Sequence, residues 1–193
     1  MSNVSKKQAT ERLAVGAILT ALVVLLQLLG SFIRFGPFSI SLVLVPIVLG
    51  AALCDAKIGG WLGFVFGTAV LISGDAAPFL AVNVAGTVIT VLLKGLLCGL
   101  AAGLVFSLAK NVNRYFAVIA AAVVCPVVNT GVFLLGCKLF FIDTITEWGL
   151  ALGFSNVGEY MFLGLAGGNF LFELAANIIL APVIVKVLSI KRN

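Results

Sequence analysis

Two ionisable side chains, Lys94 and Glu173, sit deep within long apolar runs of this 193-residue sequence. A charge at the centre of a membrane helix costs about 2.5–3.5 kcal/mol even on the mildest scales, so such a residue faces protein, water or a ligand. Asn169, Glu173 and Asn177 follow one another at i, i+4 and i+8, which stacks them on one helix face. Asn129 and Thr130 come just after Pro126 in another apolar run. That proline frees a backbone carbonyl one turn earlier and is expected to bend its helix outward. Placed at similar depth, these groups can wall a cavity open to the outside, in which Lys94 could anchor an anion. Arg34, Asn83 and Lys138, at the outer ends of their runs, would stand at its mouth. The plainer alternative is glue: amides that bond helix to helix, and a Lys94–Glu173 pair that neutralises itself.

Other chemistry is poorly supplied. The sequence has no histidine, which removes the commonest general base and metal ligand. Its cysteines, Cys54, Cys98, Cys125 and Cys137, are widely separated with no Cys-x-x-Cys pair, and read as small apolar side chains. No Gly-x-x-x-x-Gly-Lys-Ser/Thr loop offers to hold ATP, and no Gly-x-Ser-x-Gly elbow offers a hydrolytic serine. The chain is expected to be no enzyme and to hold no metal or cofactor. Binding or transport is left.

The elements that must position these residues are membrane helices. Hydrophobic residues make up 62% of the chain and charged residues 10%, against roughly 45–50% and 25% in soluble domains. Residues 13–33, 115–137 and 161–188 each supply the roughly 20 apolar residues needed to cross about 30 Å of hydrocarbon. Residues 40–73 are too long for one straight helix. They divide at Asp55-Ala56-Lys57-Ile58-Gly59-Gly60, read as a tight turn between two shortish helices. Residues 76–109 are read as a single span despite Lys94-Gly95 in their middle, because of the charges in the loops. With six spans, Lys6, Lys7, Arg12, Lys57, Lys110, Arg114, Lys186, Lys191 and Arg192 fall inside, while Asp75, Asp143, Glu147 and Glu159 fall outside. A seventh span would export Lys110 and Arg114, against the cytoplasmic preference of Lys and Arg. The expected fold is therefore an all-α integral membrane protein, a compact bundle of six transmembrane helices with N- and C-termini cytoplasmic.

The basic start leads into an apolar run too long for a signal peptide, so it is read as a retained first span. The formal charge of +5 follows from the loop bias and suits a bilayer with anionic inner lipids. It is no argument for nucleic acid. No repeat of 20–50 residues is present, so residues 1–193 are read as one six-helix domain, with 1–12 a cytoplasmic N-terminal segment. Residues 139–160 form a long outer loop. Within it Thr144-x-x-Glu147 has the form of a capping box, followed by Ile145, Trp148 and Leu152 at helical spacing, and predicts a short helix on the outer surface that could act as a lid. Gly59, Gly63 and Gly67, and again Gly95, Gly99 and Gly103, repeat every four residues and predict close helix contacts.

Over essentially its full length the chain resembles the substrate-binding S component of energy-coupling factor (ECF) vitamin transporters. The residues carrying the resemblance are Ala17-x-x-x-Ala21, the stretch from Val45-Pro-Ile-Val-Leu-Gly to Gly59-Gly-Trp-Leu-Gly-Phe, Pro126-Val-Val-Asn-Thr-Gly-Val-Phe, and Asn169 to Pro182. The resemblance implies a six-helix protein of a prokaryotic cytoplasmic membrane that binds a vitamin in an outward-facing pocket. It implies partners too: a membrane coupling protein and two cytoplasmic ATPases, which bind the ATP that this chain does not. Ala17 and Ala21 inherit the role of packing on the coupling protein. The cations Arg34, Lys94 and Lys138 outnumber Glu173 at the expected site, which leans towards an anionic substrate, and the patterns look most like the pantothenate branch. Two rival readings are a gradient-driven carrier relaying ions through Lys94 and Glu173, and a non-transporting membrane scaffold.

Overall fold

The computed structural model describes residues 3–32, 34–35, 38–39 and 42–190, with side chains described for 9–32 and 42–190. Within these residues the chain is helical apart from one two-residue antiparallel pair, β1 (Arg34–Phe35) with β2 (Phe38–Ser39). The helices are α1 (Asn3–Gly30), α2 (Leu44–Leu53), α3 (Ala56–Ser73), α4 (Ala77–Val82), α5 (Val84–Ala109) and α6 (Arg114–Phe140). They are followed by α7 (Ile142–Ala151), α8 (Val157–Glu159), a π-helical stretch over Tyr160–Gly167, and α9 (Gly168–Ile190). Five of the helical stretches are long and apolar enough to cross a membrane: Ala9–Gly30, Ala56–Ser73, Val84–Ala109, Arg114–Phe140 and Val157–Ile190. The sixth, α2, has 10 residues and reaches only about 15 Å. It lies in the middle of the bundle, with Leu44, Ile47 and Val48 fully buried. The outward faces of the long helices carry Leu, Ile, Val and Phe, among them Ile18, Ile72, Leu104, Leu135 and Ile179. This is what hydrocarbon requires of them, since each helix satisfies its own backbone.

The turn between α2 and α3 is tighter than the sequence pattern implies. Cys54 and Asp55 alone separate the helices, and Asp55 caps α3 by accepting from Ile58 N at 2.9 Å. Gly59 and Gly60 belong to the helix, not to the turn. Their function is contact. Gly59 lies against Gly99, Gly63 against Gly95, and Gly67 against Val91, so α3 and α5 touch backbone to backbone along an antiparallel seam. A Cβ at Gly67 would stand 2.7 Å from the Val91 carbonyl oxygen, closer than real Cβ atoms approach. Both four-residue glycine repeats thus serve one interface, the most extensive in the bundle, followed by that of α5 with α6. Gly63→Leu should force the two helices apart at a cost of about 1–3 kcal/mol or more. Thermal unfolding in detergent should show a clear drop for it, while Gly131→Leu, which meets open space, should leave the melting temperature nearly unchanged.

One further local expectation is corrected. The short outer helix exists, but α7 starts at Ile142, directly after Phe141, and no side chain caps it. Thr144 therefore lies inside the helix rather than at its start. The backbone explains this: Phe141 N donates to Cys137 O and Ile145 N donates to Phe141 O, so a single residue joins α6 to α7. Pro126 lies inside α6, buried, in a helix that continues from Arg114 to Phe140. The last span does not start as regular α-helix either. Its first turns are π-helical and glycine-rich, and Gly164 leaves room for the ring of Tyr160, which a Cβ there would meet.

Candidate functional site

In the outer half of the bundle, α1, α3, α5, α6 and α9 draw apart around a cavity. It is open to the surface, and its lining is drawn from these helices together with the turn after α3, α4 and the π-helical stretch. Lys94 stands 10 residues along α5, about 15 Å below the start of that helix. Thr87 and Thr90 precede it on the same face, at i−7 and i−4, and also line the cavity. The Lys94 ammonium lies 5.5 Å from the ring centroid of Phe66 and 5.4 Å from that of Phe133, within cation–π reach of both. Among the described residues no carboxylate oxygen comes within 4.0 Å of it. The pairing that would neutralise Lys94 and Glu173 directly is therefore not made.

Glu173 is held in another way. It is 2% exposed, and its Oε2 accepts from Asn129 Nδ2 at 3.4 Å while Oε1 accepts from Asn169 Nδ2 at 3.2 Å. The i, i+4 spacing in α9 delivers Asn169 to the carboxylate, and α6 delivers Asn129 from across the bundle. Asn177, the third member of the stripe, donates from Nδ2 to the Glu173 carbonyl at 2.8 Å. It braces the helix one turn below and does not line the cavity.

The mouth is roofed by aromatic rings. Phe79 of α4 makes edge-on contacts with Phe133, Phe141 and Trp148, at centroid distances of 5.6, 5.2 and 5.6 Å. Phe141 and Trp148 belong to the α6–α7 corner. That corner packs with Ile145, Tyr160, Met161 and Leu165 into a cluster separate from the main core. The expected lid is therefore a small apolar unit of its own at the outer end, touching the rest of the bundle through the cavity wall.

Of the residues expected at the site, the structure brings Lys94, Asn129, Thr130, Asn169 and Glu173 together around the cavity. It places the others elsewhere. Asn83 is the N-cap of α5, its Oδ1 accepting from Gly86 N at 2.9 Å, and is not among the lining residues. Lys138 points away from the cavity and is exposed, because its position on α6 is one residue round from the buried Cys137. The Arg34 side chain lies outside the described residues. Ala17 and Ala21 are exposed on α1, away from the bundle, while Gly16, Leu19 and Val23 face inward.

The sequence reading missed the opposite wall. Gln27, 2% exposed, donates from Nε2 to Asp75 Oδ2 at 2.6 Å and to Ser73 Oγ at 3.3 Å, tying α1 to the turn after α3. Gln27 and Asp75 both line the cavity. A signal was present, since Gln27 is the strongest polar interruption of the first span. Asp75 shifts the charge count: among the described residues, the lining holds one cation, Lys94, and two carboxylates, Asp75 and Glu173.

A largely apolar cavity with one ammonium among its described lining residues, sunk between apolar helices and roofed by rings, suits a membrane-embedded small-molecule binding protein. The chain belongs to the family of substrate-specific components of ECF transporters, whose family model matches residues 11–189. No curated protein and no solved structure matches it. It is accordingly a multi-pass protein of the cytoplasmic membrane, an all-α substrate-binding subunit of a transporter and not an enzyme.

Proposed function

We propose that this subunit captures a small anionic vitamin, with pantothenate the first candidate, from outside the cell with high affinity. The observation that carries the reading is Lys94: an ammonium deep in the cavity, flanked by two phenylalanine rings, with no carboxylate in direct contact among the described residues. A buried charge of that kind is expensive unless something answers it, and a ligand carboxylate does so with a charge-assisted hydrogen bond. Glu173, held by two amides, and Asp75, held by Gln27, are spoken for by other partners. The apolar part of the ligand would lie against Phe66, Phe79 and Phe133, which also line the cavity.

In this reading delivery inward requires a membrane coupling protein, received on the Ala17/Ala21 face of α1, and two cytoplasmic ATPases. Uptake of labelled pantothenate into vesicles separates the alternatives. Accumulation should require the coupling protein, both ATPases and ATP. Uptake by this chain alone, driven by an ion gradient, would instead mark a carrier working through Lys94 and Glu173. A chain that binds and transports nothing under either condition would be a scaffold.

A further inference from the structure

Among the described residues, the cavity wall around Glu173 holds more acceptors than donors that reach them. A carboxylate can only accept hydrogen bonds, so each amide touching it must present its nitrogen. This fixes the orientation of Asn129 and Asn169, whose Nδ2 atoms face Oε2 and Oε1. Their carbonyl oxygens are then turned elsewhere. Asn129 Oδ1 and Asn169 Oδ1 are both buried and make no hydrogen bond among the described residues, and the same is true of Thr90 Oγ1. Asn129 is 3% exposed and Thr90 5%. Buried oxygens of this kind bear the desolvation cost with no return until a donor reaches them. Three such atoms on residues lining one cavity, beside Lys94, are an unusual concentration.

We infer that the ligand carries, besides the acid that Lys94 answers, a neutral head group with at least two hydrogen-bond donors, hydroxyl or amide-type N–H. That head is seated on Thr90, Asn129 and Asn169, with Glu173 behind them. A neutral head fits better than an ammonium, because the unpartnered atoms are carbonyl and hydroxyl oxygens, and the Glu173 carboxylate already has two amide donors and shares the cavity with Lys94. The inference rests on the reading of this cavity as the vitamin site and adds the second half of the ligand's chemistry.

Titration calorimetry on the purified full chain in detergent tests it with matched probes. Pantothenate and biotin each carry a carboxylate and at least two donors. Nicotinate and lipoate carry a carboxylate without further donors, and thiamine is a cation without a carboxylate. The expected result is that pantothenate or biotin binds at least tenfold tighter than the donor-free acids. Thr90→Val, nearly the same shape, and Asn129→Leu should each shrink that gap by at least tenfold. Gel filtration of each variant checks the fold, and Thr90→Val carries the test if Asn129→Leu misfolds. A donor-free acid that binds as tightly overturns the inference and leaves the anion site standing. Thiamine binding tightest overturns it in favour of a cationic ligand without an acid. Variants that leave the gap unchanged overturn it by showing that water satisfies the oxygens. If none of the five binds, the vitamin reading fails, and the inference with it.

Discussion

Lys94→Met should lower the affinity for the proposed anionic ligand by at least tenfold, about 1.4 kcal/mol, and leave the protein folded. Methionine keeps the length and most of the apolar contact of the lysine stem, so packing beside Phe66 and Phe133 survives while the charge is lost. The fold should tolerate the change because Lys94 makes no ion pair within 4.0 Å among the described residues. Glu173 keeps the two amide donors that already hold it. The double variant Lys94→Met with Glu173→Gln separates binding from mutual neutralisation. If the two residues merely balanced each other, the double variant would recover stability and its dissociation constant would hardly move. Both residues would then leave the site, and the asparagines would remain as its core.

The second large effect lies on the other side of the molecule. Ala17→Trp or Ala21→Trp should reduce ATP-driven uptake by more than tenfold and leave ligand binding to the isolated subunit intact. Both alanines are exposed on α1, where they are smaller than the exposed Leu13, Ile18 and Leu25 around them. On the neighbouring side, Leu19 and Val23 are buried in the core, and Trp61 Nε1 donates to Thr20 Oγ1 at 3.1 Å. A tryptophan at position 17 or 21 projects into lipid, where an apolar ring is tolerated, but it removes the close approach that small residues give a partner helix. Binding measured by calorimetry and uptake measured in vesicles with the coupling partners are the two readouts. Parallel loss of both would make this face part of the internal packing instead.

How far the sequence carries depends on what each residue has to satisfy. Long apolar runs and the loop charges announce the spans because lipid imposes a length and a composition on each of them. The glycine repeats announce the α3–α5 seam because only glycine lets two backbones touch. Within the site, Lys94, Glu173, Asn129 and Asn169 were legible because a polar group in an apolar run must have a reason to be there. Asn83 and Lys138 were misplaced for the opposite reason. Near a helix end, water and backbone groups satisfy polar side chains, and Asn83 caps α5 without reaching the cavity. Asp75 was read only as a loop charge, since nothing local shows that Gln27 of α1 reaches it. That contact joins residues far apart in the chain. The π-helical opening of the last span was also hidden, because a 3.6-residue period is the wrong ruler for Tyr160–Gly167.

The central claim is that Lys94 and its cavity hold a small anionic molecule. It is tested most directly by purifying the chain from cells without added ligand, denaturing it, and identifying what it releases by mass spectrometry. The account predicts one small acid, pantothenate or a related vitamin, released in near-stoichiometric amount by the wild type and strongly depleted in Lys94→Met. Release of only lipid from both proteins, or of the same small molecule in equal amount from both, would contradict it.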